Sequence, residues 1–322
     1  MVPMALLLLA GFIALYFGAT WMVRGAARLQ GSLGLSPIVI GLTVVSLGTS
    51  APEFFVAVLA TVRGSADIAV GNVLGSNLAN IGLILGATAL VQPLLVVSRV
   101  VKREIPIMIF LTLLIYPMIM DAEVSRLDGL LLASFLGLYL AYVFQRGKKA
   151  PAPLISEYSH RAHGVKATGR ARLFVDVALL LAGTLGLVLG GKAIVESAIY
   201  FSQTLGISEL GIGLTVVAIG TSLPELATSL MAAAKKQTDI AVGNVIGSNI
   251  FNLAGVLGVT GIIKPVAVDP GVLWVELPAV VILSFLLLFV SFTPRKEGGF
   301  CIQRWEGALL LGCYISLGFW IL

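Results

Sequence analysis

Two six-residue segments hold the side chains best suited to chemistry: Gly48 to Glu53 reads GTSAPE and Gly220 to Glu225 reads GTSLPE. On a helix Thr49 and Glu53 share a face, as do Thr221 and Glu225, with Ser50 and Ser222 about one position around. Pro52 and Pro224 lack the N–H that would bond the carbonyls of Gly48 and Gly220, and they disturb the preceding turn. A second pair of segments adds Ser76 and Asn80, four apart, and equally Ser248 and Asn252. Asn72, Asn77, Asn244 and Asn249 flank them and are assigned mostly to hydrogen bonds between helices. The donors are thus carboxylates, hydroxyls, amide oxygens and freed carbonyls, with no thiol or imidazole in these segments. Hard oxygens suit Ca²⁺ and Na⁺ and argue against zinc or copper. Calcium takes about 6–8 of them at about 2.3–2.6 Å, which several broken helices together can supply.

The elements that position these residues are membrane helices. Of 322 residues, 58% are hydrophobic and 11% charged, and the mean hydropathy is +1.03. Soluble domains carry about 25% charged residues, so a water-soluble globule is excluded, as are disordered, collagenous and disulfide-framed chains. A spanning helix needs about 20 apolar residues. The apolar runs predict ten, at about 4–24, 36–62, 68–92, 103–120 and 127–145, then 173–199, 208–234, 240–263, 272–292 and 304–322. The first run is read as a helix rather than a signal peptide, because it is long and Arg24 and Arg28 follow it instead of preceding it.

With the N-terminus outside, 17 of the 21 Lys and Arg fall on the inner side and only Arg63, Arg126, Lys192 and Lys264 on the outer. That asymmetry fixes a cell (inner) membrane topology with both termini extracytoplasmic. The net charge of +5 is a topology signal and gives no case for nucleic acid. The segment 146–172 is a cytosolic basic linker too short for a folded domain. His160 and His163 lie within it and are read as part of its solvated surface rather than as a metal pair. Cys301 and Cys313 are read as packing residues.

An internal repeat decides the architecture. GLTVVSLGTS at 41–50 matches GLTVVAIGTS at 213–222 in 8 of 10 positions, and DIAVGNVLGSNLAN at 67–80 matches DIAVGNVIGSNIFN at 239–252 in 11 of 14. Both pairs share an offset of 172 residues, as do Gly18 and Gly190, Pro93 and Pro265, and Pro106 and Pro278. The expectation is an all-α polytopic membrane protein of ten transmembrane helices, two five-helix repeats (1–145 and 173–322) joined by the linker. Five spans per repeat invert the second copy, the construction used by secondary transporters with a site near the midplane.

The repeated glycines, such as Gly71 and Gly75 with Gly243 and Gly247, are explained by close helix packing alone. The polar residues between them are not. Glu53 and Glu225 are the only acidic residues well inside predicted spans. A carboxylate there costs at least about 2.5–3.5 kcal/mol, so two at repeat-equivalent positions imply function rather than packing.

The doubled GTSxPE and GNVxGSN motifs resemble the paired alpha repeats (about 36–92 and 208–263) of the cation/calcium exchanger superfamily, in its prokaryotic sodium/calcium exchanger branch. The resemblance covers nearly the whole chain. It implies a site built by spans 2, 3, 7 and 8 from Thr49, Ser50, Glu53, Ser76 and Asn80 with Thr221, Ser222, Glu225, Ser248 and Asn252. The backbone carbonyls of Ser46 and Ala218 match family positions too. It also implies that spans 1 and 6 slide over the other eight, and here these carry Gly18, Gly183, Gly186 and Gly190, which close packing explains equally well. Two departures stand out. Asn252 replaces an Asp of some members, which favours potassium independence, and the linker has no room for a regulatory region.

The function implied is secondary antiport, Na⁺ inward for Ca²⁺ outward, with no cofactor and no enzymatic activity. Two carboxylates neutralise one Ca²⁺ or two Na⁺. A third Na⁺, which the resemblance implies, leaves one excess charge and couples the cycle to voltage at about 2.3 kcal/mol per 100 mV. The alternatives are a Ca²⁺/H⁺ antiporter, since a buried carboxylate can carry a proton instead, and a cation channel. A serine hydrolase is disfavoured because both histidines lie in the linker.

Overall fold

The computed structural model describes residues 2–64, 66–147, 170–204, 218–294 and 299–321. Most of the basic linker with His160 and His163, residues 208–217 of the seventh predicted span, and Arg295 and Lys296 lie outside the described residues. The molecule is a polytopic membrane protein built almost wholly of helix. Helix falls on every one of the ten predicted segments. Among the described residues six helices are long and apolar enough to cross a bilayer, and a seventh if one bent pair counts as a single span.

In chain order the main helices are α1 (Val2–Leu33), the bent pair α2 (Pro37–Thr49) and α3 (Ala51–Arg63), α4 (Ile68–Val91), α5 (Ile105–Met118), α6 (Arg126–Gly147) and α7 (Arg170–Thr204). Then follow α8 (Ala218–Thr221), α9 (Leu223–Ala234), α10 (Thr238–Ile263), α11 (Glu276–Val290) and α12 (Arg304–Ile321). The all-α expectation needs a small correction. β1 (Leu94–Val96) pairs antiparallel with β4 (Phe300–Ile302), and β2 (Glu123–Val124) with β3 (Val266–Ala267). These ribbons use backbone groups that the helices leave free at their ends, and each ties one half of the chain to the other.

Helix α1 runs to Leu33, past the expected end near residue 24. Arg28 stays on the helix because Asp176 of α7 faces it: Nε lies 2.7 Å from Asp176 Oδ1, and Ser32 Oγ donates to Oδ2 at 3.1 Å. A cation with a buried partner has no need to leave the helix for water. Between these two helices the backbones touch. A Cβ on Gly18 would stand 2.7 Å from the Leu187 nitrogen, and one on Gly183 2.6 Å from the Met22 nitrogen. The glycines therefore serve to pack α1 on α7, the small-residue solution for helices in lipid.

The layers follow hydropathy. Over their most apolar windows α4 and α10 are 72% and 78% buried with a mean hydropathy of 1.6, whereas α1 and the span Leu173–Thr204 are 22% and 28% buried with means of 2.1 and 2.2. The enclosed pair can carry polar residues because protein, not lipid, surrounds them. The outer helices turn apolar side chains outward, Leu138, Phe174 and Phe289 among them, each about three-quarters exposed. In water such exposure would be a liability; in a bilayer it is the lipid face.

Candidate ion-binding site

The first GTSxPE segment breaks its helix. α2 and α3 meet at Ser50 with a 47° bend, and Ser50 itself leaves helical geometry at φ −81° and ψ 9°. Ser222 adopts nearly the same backbone, φ −90° and ψ 5°, ahead of α9. Pro52 and Pro224 stand in the first turn of α3 and α9, where a missing N–H costs nothing. Glu53 and Glu225 occupy those same first turns, so each carboxylate sits at the positive end of a helix.

Both carboxylates are fully buried. Each is held by a hydroxyl from the opposite repeat: Ser50 Oγ donates to Glu225 Oε1 at 2.8 Å, and Ser222 Oγ to Glu53 Oε1 at 3.5 Å. Ser248 Oγ also reaches Glu225 Oε1 at 3.5 Å. Since Ser50 caps the helix whose first turn holds Glu53, and Ser222 the helix that holds Glu225, these bonds bring the two carboxylates into one buried neighbourhood. The second oxygens, Glu53 Oε2 and Glu225 Oε2, are buried and have no hydrogen-bond partner among the described residues, and the same is true of Ser76 Oγ, Asn80 Oδ1 and Asn252 Oδ1. A buried polar atom without a partner is costly. Five such oxygens on the predicted ligand residues therefore suit a cation that completes them.

The remaining predicted ligands are less uniform. Thr49 is buried and its hydroxyl lies 3.0 Å from Asn244 Oδ1 and 3.3 Å from the Ser46 carbonyl. That carbonyl also accepts the Ser50 N–H at 2.9 Å, so it is already engaged within the protein. Thr221 is half-buried, and Ala218 opens α8. The flanking asparagines make the expected interhelical bonds. Asn72 Nδ2 donates to the Glu53 carbonyl at 3.1 Å and Asn244 Nδ2 to the Glu225 carbonyl at 3.4 Å, which anchors each glutamate to its neighbouring central helix.

Two features escaped the sequence. Wide π-helical turns span Gly41–Val45, Ala79–Leu85, Val100–Glu104 and Phe251–Val256; Asn80 and Asn252 each stand second in one, while Val100–Glu104 carries none of the predicted ligands. Turns of this kind concentrate at functional sites, and nothing in residue type marks them here beyond the repeat itself. The other feature is a set of further buried acids near span ends: Glu104, Asp176, Asp239 and Glu306.

Comparison with known proteins gives the family. The family model described as sodium/calcium exchanger protein matches residues 4–145 and 175–322, leaving out the first three residues and the linker region. This chain belongs to the sodium/calcium exchanger family. Among relatives of this exchanger, CaxA of Alkalimonas amylolytica is 39% identical over 318 residues, 98% of each chain. Sodium/calcium exchanger MaX1 of Methanosarcina acetivorans is 35% identical, with 97% of this chain and 96% of that one covered. A solved structure of the sodium-calcium exchanger NCX_Mj, soaked with Na⁺ and Ca²⁺, superposes with a TM-score of 0.82 at 31% identity, over 98% of this chain and 97% of that one. The exchanger is a transporter and not an enzyme.

Proposed function

We propose that this exchanger carries Na⁺ inward and Ca²⁺ outward across the cell (inner) membrane by alternating access, three Na⁺ for one Ca²⁺. The observation that carries the reading is the set of buried oxygens without a hydrogen-bond partner among the described residues on Glu53, Glu225, Ser76, Asn80 and Asn252. Thr49, Ser50, Thr221, Ser222 and Ser248, with the carbonyls of Ser46 and Ala218, complete the ligand set. Ten spans form two inverted repeats, 1–145 and 173–322, with the termini outside and the basic linker 146–172 inside. The reciprocal bonds from Ser50 to Glu225 and from Ser222 to Glu53 support that pseudo-symmetry.

Exchange without leak follows from charge. Emptied of cations, the site holds two buried carboxylates that repel one another, and carrying such charges through the bilayer interior is prohibitive. Loaded with one Ca²⁺ the pair is neutral. With three Na⁺ it carries one positive charge, so transport moves net charge and responds to membrane potential.

Reconstituted vesicles test this. Calcium uptake is expected only with an outwardly directed sodium gradient, faster when an imposed potential makes the vesicle interior positive and slower when it makes the interior negative, because each cycle carries one net positive charge out, and absent in Glu53→Gln and Glu225→Gln. Uptake driven equally well by a proton gradient without sodium would replace the reading with Ca²⁺/H⁺ antiport. Single-channel currents in a planar bilayer would replace it with a channel.

A further inference from the structure

An asparagine side chain offers an oxygen on one branch and an NH₂ group on the other, nearly equal in shape. Beside a cation the choice is decisive, because only the oxygen attracts it. In both Asn80 and Asn252 the NH₂ branch is the one held, which leaves the oxygen without a hydrogen-bond partner among the described residues, and the groups that hold them come from the opposite repeat. Asn80 Nδ2 donates to Asn249 Oδ1 at 3.0 Å, and Asn252 Nδ2 donates to Asn77 Oδ1 at 3.2 Å. Residues 77 and 249 are themselves repeat mates, as are 80 and 252, so the arrangement is reciprocal.

The holders are amides too, and each is fixed in turn. Asn77 Nδ2 donates to the Asn249 backbone carbonyl at 3.4 Å, which directs Asn77 Oδ1 to Asn252. Asn249 Nδ2 points to Met108 Sδ on α5 at 3.4 Å, a weak acceptor, which directs Asn249 Oδ1 to Asn80. Both lines therefore pass through residue 249, one by its side chain and one by its carbonyl. All four asparagine side chains are buried, so water does not compete for these bonds.

We propose that Asn77 and Asn249 are positioning residues that set the amide orientation of Asn252 and Asn80 across the repeat interface, so that both present oxygen to the transported calcium. This rests on the ion site proposed above. A second layer that orients metal ligands is commonly worth about 10–100-fold in metal affinity. Neither Asn77 nor Asn249 needs to touch the ion for this effect.

The test is a pair of double-mutant cycles on the purified full-length protein, read by calcium titration calorimetry without sodium. Asn77→Leu is expected to weaken calcium binding on the order of 10-fold in the otherwise native chain. In an Asn252→Asp background the same change should weaken it little or not at all, because a carboxylate has no N–H to be held and both its branches are oxygens. Asn249→Leu should behave likewise with and without Asn80→Asp. Equal losses in both backgrounds would overturn the proposal and leave Asn77 and Asn249 as ordinary packing residues. Retained calcium affinity in Glu53→Gln would instead overturn the ion site itself. Size-exclusion profiles report folding, and Asn77→Ala and Asn249→Ala replace any leucine variant that is not monodisperse.

Discussion

Glu53 and Glu225 are no more buried than Glu104, Asp176 and Glu306, yet the two groups are treated oppositely. Glu104 has both oxygens engaged: Arg99 Nε lies 3.1 Å from Oε1, and Tyr139 OH donates to Oε2 at 2.8 Å. Asp176 has Arg28 at one oxygen and Ser32 at the other. Glu306 accepts from Thr293 Oγ1 and, at 2.6 Å, from the Gln303 N–H three residues back, the reach-back bond of a helix capping box. Glu53 and Glu225 each receive hydroxyl donors on one oxygen and nothing on the other, and no ion pair to either is found among the described residues. Burial does not separate the two carboxylates of the proposed ion site from Glu104, Asp176 and Glu306. A hydrogen-bond or ion-pair partner on each oxygen does.

The largest test of that contrast removes charge from each group and reads stability with and without calcium. In the wild type, calcium at about 100 times its dissociation constant should stabilise the protein by about 2.7 kcal/mol, and chelation should remove that gain. Glu53→Gln or Glu225→Gln should abolish the calcium-dependent rise in Tm. Without calcium the same variants should melt no lower than the wild type, because each removes a buried charge that nothing among the described residues neutralises. A calcium-dependent rise that survives either substitution would break the comparison.

The converse experiment is smaller. Arg28→Met keeps the apolar stem but leaves Asp176 buried and without its cation. Losing one partner of a fully buried pair costs about 3–5 kcal/mol, and the Arg28 side chain is 36% exposed, so roughly 2 kcal/mol is expected. Tm should fall equally with and without calcium. Adding Asp176→Leu should restore most of it, since an apolar pair tolerates burial better than a lone carboxylate.

How much of this was legible in the sequence depends on what the signal was made of. The repeat at an offset of 172 and the two intramembrane glutamates led directly to the proposed site, because charge in an apolar run is conspicuous and a duplicated one is hard to assign to chance. Helix positions were legible for the same reason, and their ends were not. Arg24 and Arg28 read as the close of the first span, but α1 continues to Leu33 because a partner 148 residues along the chain neutralises Arg28. Distance in sequence hides such pairs. The π-helical turns that carry Asn80 and Asn252 were equally hidden, since they arise from how helices fit together rather than from any residue preference. The same holds for Asn77 and Asn249: the sequence could assign them to interhelical hydrogen bonds, but not to particular partners.

The smallest test makes one structural carboxylate resemble the functional pair. Tyr139→Phe deletes the hydroxyl that donates to Glu104 Oε2 and leaves that oxygen buried without a donor, as Glu53 Oε2 is. A hydrogen bond to a charged group is worth about 1.5–3 kcal/mol, and Arg99 still neutralises Glu104 from the other side, so the loss should fall near the lower end and show as a few degrees in Tm. If an orphaned oxygen were enough to make an ion site, this variant would bind one more calcium per chain. It should not. Binding also needs uncompensated negative charge and other oxygens converging on the same point, and beside Glu104 stand Arg99 and the aromatic ring of residue 139, where Glu225 has the hydroxyls of Ser50 and Ser248. Calcium stoichiometry by titration is therefore expected to stay unchanged while stability falls, which separates an incomplete carboxylate from one whose surroundings complete it with a metal ion.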